Sequence, residues 1–329
     1  MLKNVLGIAV AAILIASSAA MADVPTASSA LLFQNFYVGD GEGSLICVTN
    51  TNTDMEYCDE SDFRAGDIML HYIYIDGTDW SEFDRFEFLT PGDTLCVLAD
   101  QHNVDQNDGA LFVLSMDPET MEYVTFEYLV GSALMVDSDI NMMYSYTPVC
   151  LTGVPTSNDV CDLAETDLDG DTAPDFDGAE YGMLPNQVII PTFIEEKGQF
   201  SNELALFTTA GGYYDVEVNW LFYNNNERAY SRSQRITCYW KGALSEISNV
   251  VTVLNGDPDE LAVETGWAVG TTGRVIDGAG NTVDGVSAPL VGVFAQFAGG
   301  DFASGDTLYR GSSLIDGLEG IGGNLDHLP

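Results

Sequence analysis

The strongest constraint in this sequence is its punctuation. Short runs of β-branched and aromatic residues recur along the chain, and glycine, proline, asparagine or aspartate closes nearly every one. In the first half the runs are 44–50 (SLICVTN), 67–76 (DIMLHYIYID), 84–89 (DRFEFL), 94–99 (TLCVLA), 110–116 (ALFVLSM) and 121–130 (MEYVTFEYLV). Asp76-Gly77, Pro91-Gly92-Asp93 and Asn107-Asp108-Gly109 are explicit turn signals between them. Runs this short, of this composition and with tight connections, predict strands rather than helices. Arg85-Phe86-Glu87-Phe88 alternates strictly, which implies one wet face and one buried face. About six such strands in succession predict a β-sandwich.

The pattern breaks at 151–186, where Pro155, Gly170, Pro174, Gly178, Gly182 and Pro185 accompany a dense run of acids. Strands resume at 187–194, 203–209, 213–223 and 234–240, with further candidates at 250–254, 262–269 and 290–297. Residues 243–249 suit a short helical turn. The expected fold is all-β: two β-sandwich-like halves, 23–150 and 187–298, joined by an acidic linker at 151–186 and followed by a Gly/Asp-rich tail at 299–329.

The first 22 residues have the form of an export signal. Lys3 gives a positive start, Val5 to Ile15 is apolar apart from Gly7, and Ala20-Met21-Ala22 offers the small-x-small cleavage pattern. The mature chain is expected to begin at Asp23, to be secreted, periplasmic or held at the cell surface, and to contain no membrane-spanning helix. Export makes the six cysteines candidates for disulfides. Cys47/Cys58 and Cys150/Cys161 are each separated by 11 positions of turn-rich sequence, so local pairing is expected, with Cys96 and Cys238 left to tie the halves together. The absence of C-x-x-C disfavours a zinc ribbon and covalent haem.

Acidic residues number 51 against 10 basic ones, for a formal charge of −41. That balance argues against nucleic acid or an anionic membrane as a partner. Acidity of this degree also suits a chain that must stay soluble in salty water, so only organised acids are informative. The organised set is Asp167-Leu-Asp-Gly-Asp-Thr-Ala-Pro-Asp-Phe-Asp-Gly-Ala-Glu180. Carboxylates on alternate residues of a tight loop repel one another without a cation and converge on one with it. Calcium takes six to eight oxygens at about 2.3–2.6 Å. Asp167, Asp169, Asp171, Asp175, Asp177 and Glu180, with the Ala173 carbonyl, are the candidate ligands. The competing reading is a solvated acidic linker.

This segment resembles the Asp-x-Asp-Gly-Asp-Gly-x-Pro-Asp calcium loops of thrombospondin type 3 repeats and of integrin-type β-propellers. The resemblance places Asp167, Asp169, Asp171 and Asp175 on acidic ligand positions. Thr172 stands where those loops carry glycine, and Gly178 stands where an EF-hand carries its closing glutamate. Separately, Cys47-Val-Thr-Asn-Thr-Asn52, Leu89-Thr-Pro-Gly-Asp-Thr94, Trp220-Leu-Phe-Tyr-Asn-Asn-Asn-Glu227 and Glu264-Thr-Gly-Trp267 are similar to segments of uncharacterised exported bacterial β-proteins, which supports a secreted β fold and points to no particular activity.

Other candidates point less sharply. The polar stretch Asp100–Asp108 suits a metal or sugar, or a plain turn. His71 fits a satisfied, half-buried histidine. Neither G-x-S-x-G nor H-E-x-x-H occurs, which lowers the case for the hydrolases that use them. Trp80, Trp220, Trp240 and Trp267 are either core residues or a sugar-stacking platform. Arg228, Arg232, Arg235 and Lys241 crowd one stretch of a molecule with few cations, and each either neutralises acids of its own chain or attracts a second copy. The function expected on these grounds is that of a secreted, non-enzymatic β-protein, structural or adhesive and calcium-stabilised. The alternatives are a carbohydrate-binding module and a glycan-acting hydrolase, which would need paired carboxylates across a cleft.

Overall fold

The computed structural model describes residues 26–39, 41–58, 62–103, 107–137, 142–154, 161, 163–167, 174–176, 178–194, 200–210, 214–224, 229–247, 265–283, 288–298 and the backbone of 302–308. Strand dominates and helix is almost absent. The first half contributes β1 (Ala30–Phe36), β2 (Glu42–Asn50), β3 (Ile68–Asp76), β4 (Glu82–Leu89), β5 (Thr94–Leu98), β6 (Gly109–Met116), β7 (Leu129–Asp137), β8 (Met142–Tyr146) and β9 (Val149–Leu151), with one helical turn, α1 (Ala99–His102). The second half contributes β10 (Gln187–Ile194), β11 (Phe200–Phe207), β12 (Tyr214–Asn224), β13 (Ala229–Ile236), β14 (Tyr239–Gly242), β15 (Thr265–Asp277), β16 (Thr282–Val283), β17 (Val291–Ala298) and β18 (Phe302–Leu308). A 3₁₀ turn at Leu244–Glu246 falls where the sequence suggested a helical turn.

These strands form four small antiparallel sheets in a propeller-like ring. Sheet I runs β4-β3-β6-β1-β9, sheet II β5-β2-β7-β8, sheet III β14-β11-β17-β18 and sheet IV β10-β15-β12-β13, with β16 on β15. The strands of sheets I and II interleave along the chain, so neither sheet is built from consecutive strands. Sheets I and II share a core containing Leu31, Phe33, Ile46, Val48, Tyr72, Leu111, Ala133 and Met135. Sheets III and IV share a second, around Leu204, Leu206, Val218, Trp220, Phe222 and Phe294.

A third core joins the halves. Leu32, Ile73, Ile75, Phe112 and Leu114 on the other face of sheet I meet Phe207, Cys238 and Val291 from the second half. The central strands of sheet I are therefore covered on both faces. This explains why β1 and β6 are buried at every position, with apolar runs at Ala30–Phe33 and Ala110–Leu114, whereas β2 alternates between buried and part-exposed residues. Trp80 anchors this third core, 5.8 Å from Phe207 ring to ring, and does so at φ +66°, a left-handed conformation that a bulky residue adopts only under constraint.

The stretch expected to be a linker is, in its described residues, part of the same core. Phe176 stacks on Phe112 at 5.1 Å, and Phe176, Tyr181 and Leu184 are buried. Backbone bonds from Val154 to Glu180 and from Gly182 to Thr152 hold the segment down.

The disulfides differ from the expected pairs. Cys47 joins Cys96, and Cys58 joins Cys161. Cys47 and Cys96 are direct cross-strand partners on β2 and β5, with Cα atoms 4.0 Å apart, so strand register outweighs nearness in sequence. Cys150 is not joined to Cys161. It lies in β9, beside Leu31 of β1, and remains a part-buried thiol. Cys238 is not joined to Cys96. It is buried in the third core, while Cys96 lies on sheet II beyond sheet I. Peptide mapping under non-reducing conditions should recover Cys47–Cys96 and Cys58–Cys161 with Cys150 and Cys238 as thiols. Replacing Cys58 by serine should cost about 2–4 kcal/mol of stability, because that bridge closes a loop spanning 103 positions.

Candidate functional site

A cluster of interacting polar side chains lies where β14 crosses onto the first half. An open cleft of about 520 Å³ there is lined by Val38, Glu42, Thr78, Asn107, Asp108, Tyr239, Trp240 and Lys241. Its floor is set by the turn after β3. The buried Asp76 carboxylate accepts the Thr78 N–H at 2.6 Å and both the backbone and the side-chain N–H of Asn107, at 2.9 and 2.8 Å. Burial opposes ionisation of Asp76, but these donors outweigh it and hold the carboxyl below its usual range. Gly77 must be glycine, since a Cβ there would lie 2.5 Å from the Tyr239 ring and 2.7 Å from the Asp108 carbonyl.

Lys241 is the cation of the cleft. Its ammonium donates to Asp108, lies 3.8 Å from Glu42 and sits 4.2 Å over the Tyr37 ring. Burial works against its charge, yet Asp108 foremost, with Glu203 and Glu42, carries its pKa above the ordinary lysine value. Beneath it runs a buried network. Tyr37 donates to Glu203, the Tyr37 and Tyr144 hydroxyls are 3.0 Å apart, and Asn35 Nδ2 donates to the Tyr144 hydroxyl at 2.9 Å. Tyr146 donates to the Asn35 carbonyl, and Tyr239 donates to Asn35 Oδ1 at 2.6 Å. Glu203 is pushed above the usual carboxyl range by burial, partly offset by Lys241. Asn35, Tyr37, Tyr144 and Tyr146 come from the first half; Glu203, Tyr239 and Lys241 come from the second. The set works as a polar seam between the halves, with an open cleft at its rim.

The two inner histidines lie on opposite faces of β3–β4. His71 is held between the Tyr123 hydroxyl at 2.7 Å and Asp84 at 3.1 Å and stacks on Phe86 at 4.3 Å, as expected of a satisfied histidine. His102 closes the turn at Ala99–His102, between the Tyr74 hydroxyl at 2.9 Å and Glu87 at 3.2 Å. Burial depresses its pKa, against the pull of Glu87.

Of the candidate calcium ligands, Asp169, Asp171, Ala173 and Asp177 lie outside the described residues. Glu180 is buried and accepts the Asp175 N–H at 2.8 Å, Gly178 has φ +91°, and Asp167 lies within electrostatic reach of Tyr123. Among the described residues no group of three or more His, Cys, Asp and Glu is arranged to hold a metal ion. Arg228 also lies outside the described residues. Arg235 pairs with Asp215 of its own chain, and Arg232 donates to the Ser231 carbonyl. Trp80 and Trp220 are core residues, Trp240 is half-buried, and Trp267 is exposed, stacked at 4.3 Å on Tyr223 across β12 and β15.

No protein-family model matches the chain, and no curated protein matches it. Among solved structures, a Streptomyces avermitilis alpha-L-rhamnosidase complexed with L-rhamnose is similar at 10% identity and a TM-score of 0.20. The match covers 87% of this chain and 26% of the enzyme. A likeness of that size is too distant to bear on function.

Lys241→Met should lower stability by about 2–4 kcal/mol at pH 8, because it strands carboxylates in a part-buried site. Glu203 has a raised folded pKa, so its ionisation costs stability as pH climbs above the ordinary carboxyl range. The loss should therefore shrink toward pH 4, and Glu203→Gln in the same background should recover part of it at pH 8. Urea unfolding at both pH values checks this.

Proposed function

We propose that this chain is an exported, non-enzymatic β-protein with a structural or adhesive role at the cell surface or in extracellular matrix, stabilised by calcium. The observation that carries the reading is the disulfide pattern. One bridge staples neighbouring strands, and the other ties the loop after β2 to the acidic segment, as suits a fold that must persist in an oxidising compartment. The residues that meet in the cleft join the halves, and a rigid spacer is the use such a joint best supports. The acidic segment 167–180 supplies the calcium ligands in this reading. Its described flank is already packed on sheet I through Phe176 and Tyr181 and braced within itself by Glu180 on the Asp175 N–H, so the loop starts from a fixed base.

Material recovered from outside the cell should begin at Asp23 by mass spectrometry. Calcium at a hundredfold excess over Kd should stabilise the fold by about 2.7 kcal/mol, raising Tm by roughly 5 °C. Asp169→Ala with Asp171→Ala should remove that rise. A chain found only inside the cell, with residues 1–22 attached, would overturn the reading.

Glycan binding is the second reading, favoured by one observation. Trp267 and Tyr223 stack with an interplanar angle of 7° on the wet face of sheet IV, beside Leu221 and the hydrogen-bonded Gln187–Thr271 pair. A glycan array on which Trp267→Ala loses a signal that the wild type gives would support it.

A further inference from the structure

An open sheet edge offers unpaired N–H and C=O groups to any other strand, and proteins blunt such edges by shortening them, charging them or placing proline in them. The edges of this molecule are unequal. Strands β5, β9, β14 and β16 are short, β10 carries Pro191 and a register shift, and β18 lies alongside β8. Two edges remain, β4 on sheet I and β13 on sheet IV. Each is eight residues long, without proline, and among the described residues each is paired on one side only, to β3 and to β12.

Their charges are opposite. β4 (EFDRFEFL) carries Glu82, Asp84 and Glu87 against Arg85, while β13 (AYSRSQRI) carries Arg232 and Arg235 and no acid. The spacing matches as well, since Asp84 and Glu87 are three residues apart, as are Arg232 and Arg235. An antiparallel register with Arg232 opposite Glu87 and Arg235 opposite Asp84 runs from Tyr230 against Leu89 to Ile236 against Phe83, and sets Arg85 against Gln234. Phe86 and Phe88, which are 48% and 41% exposed on β4, fall opposite Ser233 and Ser231. The side chains of Asp84, Glu87 and Arg235 are 48%, 37% and 53% exposed while holding His71, His102 and Asp215 of their own chain, and Arg232 is part-buried.

We propose that β13 of one copy adds to β4 of a second copy, extending sheet IV of the first into sheet I of the second. This deepens the structural role proposed above, on which its biological meaning rests. Symmetric alternatives are disfavoured by net charge: β4 on β4 gathers six acids against two arginines, and β13 on β13 gathers four arginines and no acid. The contact is therefore heterologous, and because donor and acceptor lie on different halves, each copy keeps one of each and the assembly grows head to tail. Backbone bonds supply the attraction, and the charge pairs fix partner and register. Repulsion between molecules of formal charge −41 opposes contact until salt screens it. The Debye length falls from about 30 Å at 0.01 M to about 8 Å at 0.15 M, and assembly rises over that range.

Sedimentation velocity of the mature chain from Asp23 tests this, with Tm recorded for each variant to confirm folding. Wild type should assemble as salt rises. Arg232→Glu with Arg235→Glu, and separately Asp84→Arg with Glu87→Arg, should each stay monomeric. An equimolar mixture of the two double variants should assemble again, because each then presents the other's complement. A wild type monomeric at every salt concentration, variants assembling like wild type, or a mixture that stays monomeric would overturn the proposal. None of these outcomes would alter the export test above, so the two readings fail separately.

Discussion

The contact of β14 with the first half is the directional part of what joins this chain into one body, while β11 and β17 supply an apolar part through Phe207 and Val291 in the third core and Val293, Ala295 and Phe297 in the first. Lys241 enters a site where burial disfavours its charge, and it remains there because Asp108, Glu42 and Glu203 surround it. A charge removed from water costs several kcal/mol unless its partners repay the loss, so the seam has value only while all its members are in place. The Tyr37, Tyr144, Tyr146 and Tyr239 hydroxyls complete it by satisfying Asn35 and Glu203, which would otherwise be buried without partners.

The apolar third core supplies area, and the polar seam supplies geometry. Phe112, Phe207, Trp80 and Phe176 would tolerate sliding past one another, since dispersion and hydrophobic burial are weakly directional. The hydrogen bonds at Asn35 and the ammonium of Lys241 are directional and fix the angle between the halves. A rigid angle in turn fixes where β4 and β13 point, which is what a repeating contact between copies needs.

Much of the fold was legible in the sequence. β3, β4, β5 and β6 fall within a few residues of the runs that predicted them, because short β-branched stretches between Asp-Gly and Pro-Gly turns leave little choice. β1 was not legible. Gln34 and Asn35 interrupt its pattern, and both are buried, Asn35 as the hub of the seam. The run 121–130 has strand composition, yet only its last two residues lie in β7. The rest makes only isolated bridges, Tyr123 with Met116 at the end of β6 and Val124 with Glu165, and Met121 sits at φ +62°. Composition reports that a segment suits extended backbone; it does not report its partner. The cysteine pairs failed for the same reason, since cross-strand register joins residues 49 positions apart in preference to those 11 apart. The seam was hidden because Tyr37 and Glu203 are 166 positions apart and Asp108 and Lys241 are 133 apart, and nothing local in the sequence brings either pair together.

Differential scanning calorimetry of the mature, disulfide-intact chain near neutral pH tests the central claim most directly. If the seam and the third core unite the halves, unfolding is one transition whose calorimetric enthalpy equals its van't Hoff enthalpy. Two resolved transitions, or a calorimetric enthalpy close to twice the van't Hoff value, would contradict it and leave two independent β-domains on one chain.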